Sequence, residues 1–121
     1  MAQPLILVLG ASTRPERYSH IAVERLVAQG HPVLAIGART GWIDDVQIRT
    51  ELPDDVLVDT VTLYVGNAAL AKWEDRLLAL RPRRIIFNPG SENAQFAERA
   101  KKLGIVVVEG CTLVMLSVGT F

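Results

Sequence analysis

The sequence has one cysteine and no long apolar stretch, and both observations bear on the cellular compartment that we expect for the protein. Its single cysteine, Cys111, leaves no internal disulfide to form, which is typical of the reducing cytoplasm. No apolar stretch approaches the ~20 residues of a membrane span. The first residues carry no basic region followed by a cleavage site, so nothing in them indicates secretion. We therefore predict a cytoplasmic protein that does not interact with a membrane.

Excess charge and metal ligands are also missing. Thirteen Lys and Arg residues balance thirteen Asp and Glu residues, which removes the broad positive field that binds nucleic acid or an anionic membrane. The one basic concentration, Arg81-Pro82-Arg83-Arg84, is typical of solvated charge between a helix and a strand. His20 and His31 are the only histidines, and no cluster of His, Cys, Asp and Glu has metal-ligand spacing. The sequence thus predicts no nucleic-acid partner and no metal.

What the sequence does have is an alternation of strand and helix patterns. Apolar runs rich in branched residues predict buried strands, and amphipathic stretches between them predict helices. The predicted strands cover residues 5–9, 31–37, 59–65, 84–88 and 105–108, with a weaker, half-exposed edge strand at 46–49. This order predicts one α/β domain over residues 1–121, a three-layer, doubly wound and mostly parallel sheet of about five strands.

Signals at the helix ends give further expectations. Asn67 is predicted to be the N-cap of one helix that ends before Pro82. Ser91 is predicted to be the N-cap of the next helix, which ends at Gly104. The apolar tail from Cys111 to Phe121 is expected either to pack as a helical turn or to form a homo-oligomer surface, and we favour ordinary packing.

The first strand carries the clearest functional signal. Leu5–Leu9 leads directly into Gly10-Ala11-Ser12, and an amphipathic helix follows from about Ser19 to Gln29. A helix after such a turn presents unpaired backbone N–H groups and the positive end of its dipole, and both favour an anion. The pattern therefore predicts a nucleotide or a phosphorylated cofactor.

Two departures argue against a complete nicotinamide dinucleotide site. After Gly10 the sequence continues Ala11-Ser12-Thr13-Arg14-Pro15, which lacks the two later glycines of G-x-G-x-x-G. The second strand ends in Gly37-Ala38-Arg39 rather than in an acidic residue that would bind the ribose hydroxyls. Arg39 suits a phosphorylated ribose better than a bare diol.

The position of the ligand follows from the sheet. Ligands of doubly wound sheets bind beyond the carboxyl ends of the strands, which selects the loops at 10–19, 37–41, 65–68 and 88–93. The residues predicted to bind the ligand are Gly10, Ala11, Ser12, Arg14, Arg17, Tyr18, Ser19, Gly37, Arg39, Asn88, Pro89, Gly90 and Asn93.

Most of the chain resembles the small stand-alone CoA-binding domain proteins, and two stretches carry the resemblance. One is Gly10-Ala11-Ser12 with Arg17, Ser19 and Gly30-His31-Pro32-Val33; the other is Asn93 with Ala97, Ala100, Gly104, Val106-Val107-Val108 and Cys111. The family's Rossmann-like fold is similar to the nucleotide domain of the succinyl-CoA synthetase alpha subunit. The resemblance implies binding of the ADP part of CoA or an acyl-CoA, and it implies no reaction.

Two segments differ from the family's usual pattern and indicate a divergent branch. Ala35-Ile36-Gly37-Ala38 stands where family members commonly have Pro-Val-Asn-Pro. Asn88-Pro89-Gly90 replaces the commoner Gln-Leu-Gly turn. The first difference affects the contacts to adenine, and the second leaves open a ligand other than CoA.

Three functions remain open at this point. The leading one is non-catalytic binding of CoA or an acyl-CoA, as a carrier or a sensor. The second is a thioester or nucleotide-dependent enzyme that uses Cys111, the one candidate nucleophile, although a buried cysteine is more often a small hydrophobic residue. The third is an interaction module with a vacant pocket. His20 is expected to cap the first helix or lie at the surface rather than to contact the ligand.

Overall fold

Strands and helices alternate along residues 5–121, the part of the chain that the computed structural model describes. The strands are β1 Leu5–Leu9, β2 Val33–Ile36, β3 Gly41–Ile43, β4 Val46–Arg49, β5 Val58–Leu63, β6 Arg84–Phe87 and β7 Val106–Glu109. The helices are α1 Tyr18–Ala28, α2 Asn67–Leu70, α3 Glu74–Ala79, α4 Ala94–Lys102 and α5 Thr112–Val118.

The strands form one sheet in the order β3-β4-β2-β1-β5-β6-β7. All neighbours pair in parallel except β3, which runs antiparallel to β4. The chain goes from β1 to β2 on one side and later returns to place β5 on the other side of β1. The strand order therefore reverses at β1 and β5, and the predicted doubly wound α/β class is confirmed.

The prediction of about five strands undercounts the sheet, which has seven in the described residues. Gly41–Ile43 was missed because three residues are too few to show a periodicity. Val46–Arg49 is a strand, as expected, but it is not the edge, since it pairs with β2 on one side and β3 on the other. A β-hairpin thus extends the parallel sheet at one end.

Each face of the sheet is covered by its own set of helices. On one face, the core packs Leu7, Leu9 and Leu63 against side chains of α2, α3 and α4, including the fully buried Phe96. On the other face, Ile6 and Val8 pack against Val23 and Leu26 of α1 and Leu116 of α5. Alternate residues of β1 face opposite layers, so this strand is buried on both sides.

Two predicted N-caps are wrong, although α2 begins at Asn67, where a helix was expected. Asn67 is the first residue of α2 and Gly66 is its N-cap. Ser91 does not cap α4; the Oδ1 atom of Asn93 accepts the N–H of Phe96 at 3.0 Å and fills that role. The single helix predicted before Pro82 is divided into α2 and α3, because the N–H of Trp73 donates to the Leu70 oxygen three residues back instead of four.

The apolar tail packs onto the protein as a helix. Thr112 and Leu116 of α5 are buried, and the helix ends at Gly119 in the left-handed conformation, with a φ of +79°. Val114 and Val118 remain exposed on its outer side. Across residues 5–121, no helix is long and apolar enough to cross a membrane.

Candidate functional site

A cleft of about 610 Å³ opens at the carboxyl edge of the sheet, where the strand order reverses. Its size is within the ~300–1,000 Å³ range of small-molecule sites. Four loops line it: those after β1, β2, β5 and β6. The lining residues are Gly10, Ala11, Ser12, Thr13, Arg14, Arg17, Tyr18, Ser19, Ala38, Arg39, Tyr64, Val65, Gly66, Pro89, Gly90 and Ser91.

The loop after β1 is held close to its neighbours by two glycines. Gly10 has a φ of +98°, and a Cβ atom on it would lie 2.5 Å from the carbonyl oxygen of Tyr64. A Cβ atom on Gly37 would collide with the carbonyl oxygen of Ala11. The N–H groups of Gly10 and Ala11 both donate to the oxygen of Ile36, at 2.8 and 2.9 Å. The start of the loop is therefore anchored to the ends of β2 and β5.

The rest of this loop and the start of α1 offer hydrogen-bond donors to the cleft. The Oγ atom of Ser12 accepts the N–H of Arg14 at 3.1 Å, which leaves the Ser12 hydroxyl proton free to donate. Helix α1 begins without a side-chain cap. Within residues 5–121, the backbone N–H groups of Tyr18 and Ser19 have no acceptor. These groups lie at the positive end of the α1 dipole, which favours an anionic ligand.

His20 fixes the loop to the helix. Its Nδ1 atom donates to the carbonyl oxygen of Ser12 at 2.8 Å, and its Nε2 atom lies 3.7 Å from a Glu24 carboxylate oxygen. His20 is only 9% exposed, so its hydrogen bond to the Ser12 carbonyl oxygen is well shielded from water. The side chain supports the binding loop from behind and does not line the cleft.

The charges around the cleft have one sign. Arg14, Arg17 and Arg39 line it, and no Asp or Glu does. None of the three guanidinium groups forms an ion pair with another described residue. In a chain whose formal net charge is zero, this is a local concentration of free positive charge. Arginine recognises phosphate oxygens through paired, charge-assisted hydrogen bonds.

Ten of the thirteen predicted binding residues line the cleft, and Gly37, Asn88 and Asn93 do not. Gly37 supports the first loop from below, and Asn93 caps α4. Asn88 is 1% exposed; its Nδ2 atom donates to Thr62 Oγ1 at 2.7 Å and to the Leu63 oxygen at 2.9 Å, while its Oδ1 atom accepts the N–H of Thr112 at 2.8 Å. Its side chain connects β5, β6 and α5.

Six lining residues were absent from the predicted set: Thr13, Ala38, Tyr64, Val65, Gly66 and Ser91. Most lie in the loops that were expected to hold the ligand, so the loops were a better guide than single residues. Tyr64 is the exception, because it lies inside the predicted third strand, residues 59–65, and outside the predicted ligand loops. Burial raises the pKa of the Tyr64 phenol to about 12, and its hydroxyl is sealed from solvent with no hydrogen-bond partner in residues 5–121. The phenol is therefore protonated at neutral pH.

Cys111 lies at the N-cap of α5 and is half-buried. Its charge when ionised helps to raise the pKa of the Tyr64 phenol, but the residue is not part of the cleft lining. Among residues 5–121, no group of three or more His, Cys, Asp or Glu could hold a metal ion.

A doubly wound sheet with a cationic cleft at its switch point defines a nucleotide-binding α/β domain. Comparison with known families makes this more specific, since the model of the CoA binding domain matches residues 5–117. The chain belongs to this CoA-binding family. No curated protein matches it.

Several solved structures have the same fold. One, described as the crystal structure of an uncharacterized protein, is 42% identical, with 100% of both chains covered and a TM-score of 0.93. A protein from Thermus thermophilus is 28% identical over 98% of this chain and 90% of its own, with a TM-score of 0.85. A hypothetical protein from Pyrococcus horikoshii, 19% identical over 90% of this chain and 78% of its own, shares the fold with a TM-score of 0.81.

Proposed function

We propose that this protein binds CoA or an acyl-CoA in the cleft at the carboxyl edge of the sheet, without transforming it. The loop after β1 and the start of α1 hold the ADP and pyrophosphate portion. The observation that carries this proposal is the cleft's charge: three unpaired arginines and no carboxylate line it. A ligand with several phosphate groups neutralises that charge, and family membership supports CoA as the source of the phosphates.

Each part of the cleft has a role in this proposal. The N–H groups of Tyr18 and Ser19 and the Arg17 guanidinium group bind pyrophosphate oxygens. Arg39, at the end of β2, binds the phosphate on the ribose. The exposed ring of Tyr18 offers a face on which adenine can stack. The loops after β5 and β6 leave room for the pantetheine arm.

A carrier or sensor role agrees best with the side chains at hand. With a pKa of about 12, the Tyr64 phenol does not act as a base at neutral pH, and His20 is occupied by the Ser12 carbonyl. The rival function is a thioester enzyme with Cys111 as nucleophile, and the observation in its favour is the electrostatic influence of this thiol on the cleft residue Tyr64. If the Cys111→Ala protein turns over acetyl-CoA at the same rate as the parent protein, Cys111 is not the nucleophile and the enzyme function is excluded.

The decisive experiment is titration calorimetry against CoA, acetyl-CoA, NAD, NADP and ADP under reducing conditions. We expect heat of binding with CoA and none with NAD. The Arg17→Ala substitution should weaken the binding free energy of CoA by about 1.5–3 kcal/mol, the range of a charged hydrogen bond. The matched control is Arg25→Ala, which removes an exposed arginine in the last turn of the same helix, away from the cleft.

Two results would contradict the proposal. Equal CoA affinity of the Arg17→Ala and Arg25→Ala proteins would show that the loop does not hold the phosphates. If none of the five ligands gives a heat of binding, an interaction module with a vacant pocket is favoured instead. The solution mass of the full chain, compared with a chain lacking residues 112–121, would then test a homodimer through the tail.

A further inference from the structure

A second cavity, of about 400 Å³, lies at the opposite edge of the sheet from the CoA cleft. The residues before β2, the amino ends of β5 and β6, and Phe121 form its walls. It shares no lining residue with the first cleft. A ligand bound here would therefore be separate from the one proposed above.

The central group of this cavity is Arg84, which was expected to be solvated charge and is instead buried, with 8% of its surface exposed. Its Nε atom donates to Thr60 Oγ1 at 3.1 Å. Its guanidinium group lies over the ring of Phe121, 4.5 Å from the ring centre, and the edge of that ring meets His31. The guanidinium plane is therefore held in one orientation before any ligand arrives.

In the part of the chain from Leu5 to Phe121, no carboxylate pairs directly with Arg84. The nearby Asp59 carboxylate accepts two hydrogen bonds from Arg83, at 3.0 and 3.1 Å. The Thr60 hydroxyl donates its only proton to Asp59 at 2.8 Å and accepts from Arg84, so Arg84 reaches the carboxylate only through this hydroxyl. Two guanidinium groups share one negative charge, and the cluster carries an excess positive charge.

A buried positive charge without a direct counterion is costly, so its environment favours an anion. Among residues 5–121, the two terminal nitrogens of Arg84 have no hydrogen-bond acceptor, and they are open to the cavity because they are not among the atoms sealed from solvent. Burial lowers the pKa of Arg84, and repulsion by the neighbouring Arg83 lowers it further, while Asp59 raises it. The ring of Phe121 and the side chains of Ile6 and Pro32 add an apolar wall beside this charge.

We propose that this cavity binds a small oxyanion ligand, a molecule with one phosphate or carboxylate group and a compact apolar body. The two terminal nitrogens of Arg84 hold the oxyanion by a forked pair of hydrogen bonds. Phe121 and Pro32 contact the apolar body. The cavity volume is within the range of small-molecule sites.

The test is an NMR titration of the ¹⁵N-labelled full chain with inorganic phosphate and, separately, with benzoate. Saturating CoA is present throughout, so that the first cleft is filled. We expect saturable shifts of the Gly30 and His31 amide signals, while those of Gly10 and Ser12 stay constant. A response to phosphate alone identifies a phosphate source, and a response to benzoate identifies a carboxylate source; either supports the proposal.

Matched variants assign the effect to Arg84. The Arg84→Gln substitution should lower the affinity for the anion by about tenfold or more, the effect of losing a charged hydrogen bond. Arg81→Gln, an exposed arginine outside the cavity, should bind as the parent does. Absence of saturable shifts at Gly30 and His31 in the parent protein overturns the proposal, and this result does not depend on how a variant folds. Equal shifts in the parent and Arg84→Gln proteins would show an adventitious ion only and would also overturn it.

The outcome is independent of the CoA proposal. If CoA fails to bind, the same titration is run with the Arg17→Ala protein, in which the first cleft has lost a phosphate contact. Shifts at Gly30 and His31 would still support the second site.

Discussion

Replacing Gly10 by alanine tests the close approach on which the binding loop depends. Two costs add at this position. Alanine at a positive φ is strained by about 1–2 kcal/mol. Its Cβ atom would also lie 2.5 Å from the Tyr64 carbonyl oxygen, and the surrounding backbone must move to relieve this, at a cost of about 1–3 kcal/mol. We expect the free energy of unfolding to fall by about 2–5 kcal/mol.

Gly104→Ala is the matched control. Gly104 has a φ of +78°, but nothing lies within 4 Å of a Cβ atom placed on it. This variant therefore carries the backbone strain without the collision, and it should lose about 1–2 kcal/mol. Urea unfolding of both proteins measures the difference directly.

Binding gives a second readout of the same change. Because the loop after β1 must move away from β5 in the Gly10→Ala protein, its donors leave their positions and CoA affinity should fall about tenfold or more. Gly104→Ala should bind CoA as the parent does. If the two variants lose equal stability and bind CoA equally, the loop is not held against β5 in the way described here.

Three further changes test other parts of the structure. Phe96→Ala empties a fully buried site between α4 and β6 and should lower the unfolding free energy by about 3–5 kcal/mol in urea, whereas a loss below 1 kcal/mol would contradict the packing. Asn93→Ala removes the cap of α4 and should cost about 1 kcal/mol by thermal unfolding; Asn93→Ser, which can still cap, should recover most of that loss. The hydrogen bond from Arg83 holds the pKa of Asp59 below its unfolded value of about 3.9. The Arg83–Asp59 pair should make the parent protein more stable than Asp59→Asn by less than ~1 kcal/mol, because the pair is exposed. This difference in unfolding free energy should be constant above that pH and decline as the pH falls through the folded pKa. A difference that grows on acidification would refute the assignment.

The sheet was largely predictable because burial on both faces leaves a strong mark in sequence. The runs at Leu5–Leu9 and Arg84–Phe87 contain apolar residues that face both helical layers, so each reads as a continuous strand. Gly41–Ile43 carries no such mark, since its Trp42 is exposed and only Ile43 is buried. Its strand identity depends on pairing with Val46–Arg49, which a local pattern does not record.

The candidate cleft was predictable at the level of loops because strand ends fix where loops meet. The direction in which a side chain points depends on long-range contacts. Asn88 turns inward because Thr62, on a strand 26 residues earlier, accepts its N–H. Arg84 belongs to a basic segment that was expected to be exposed. Neighbouring residues of a strand point to opposite sides, so the Arg83 side chain lies outside and the Arg84 side chain packs under Phe121.

The central position of β1 has a consequence for the order in which the protein acquires its activity during synthesis. This strand precedes the other described strands in the chain, and one of its two neighbours, Val58–Leu63, is made only after three more strands. Pairing across so many residues is slow to form, because the intervening chain must first be ordered. The far wall of the candidate cleft includes Pro89, Gly90 and Ser91, which are made later still. A growing chain therefore contains the loop after β1 long before the candidate cleft is complete, and a ligand that contacts all four loops can be held only after Ser91 has left the ribosome.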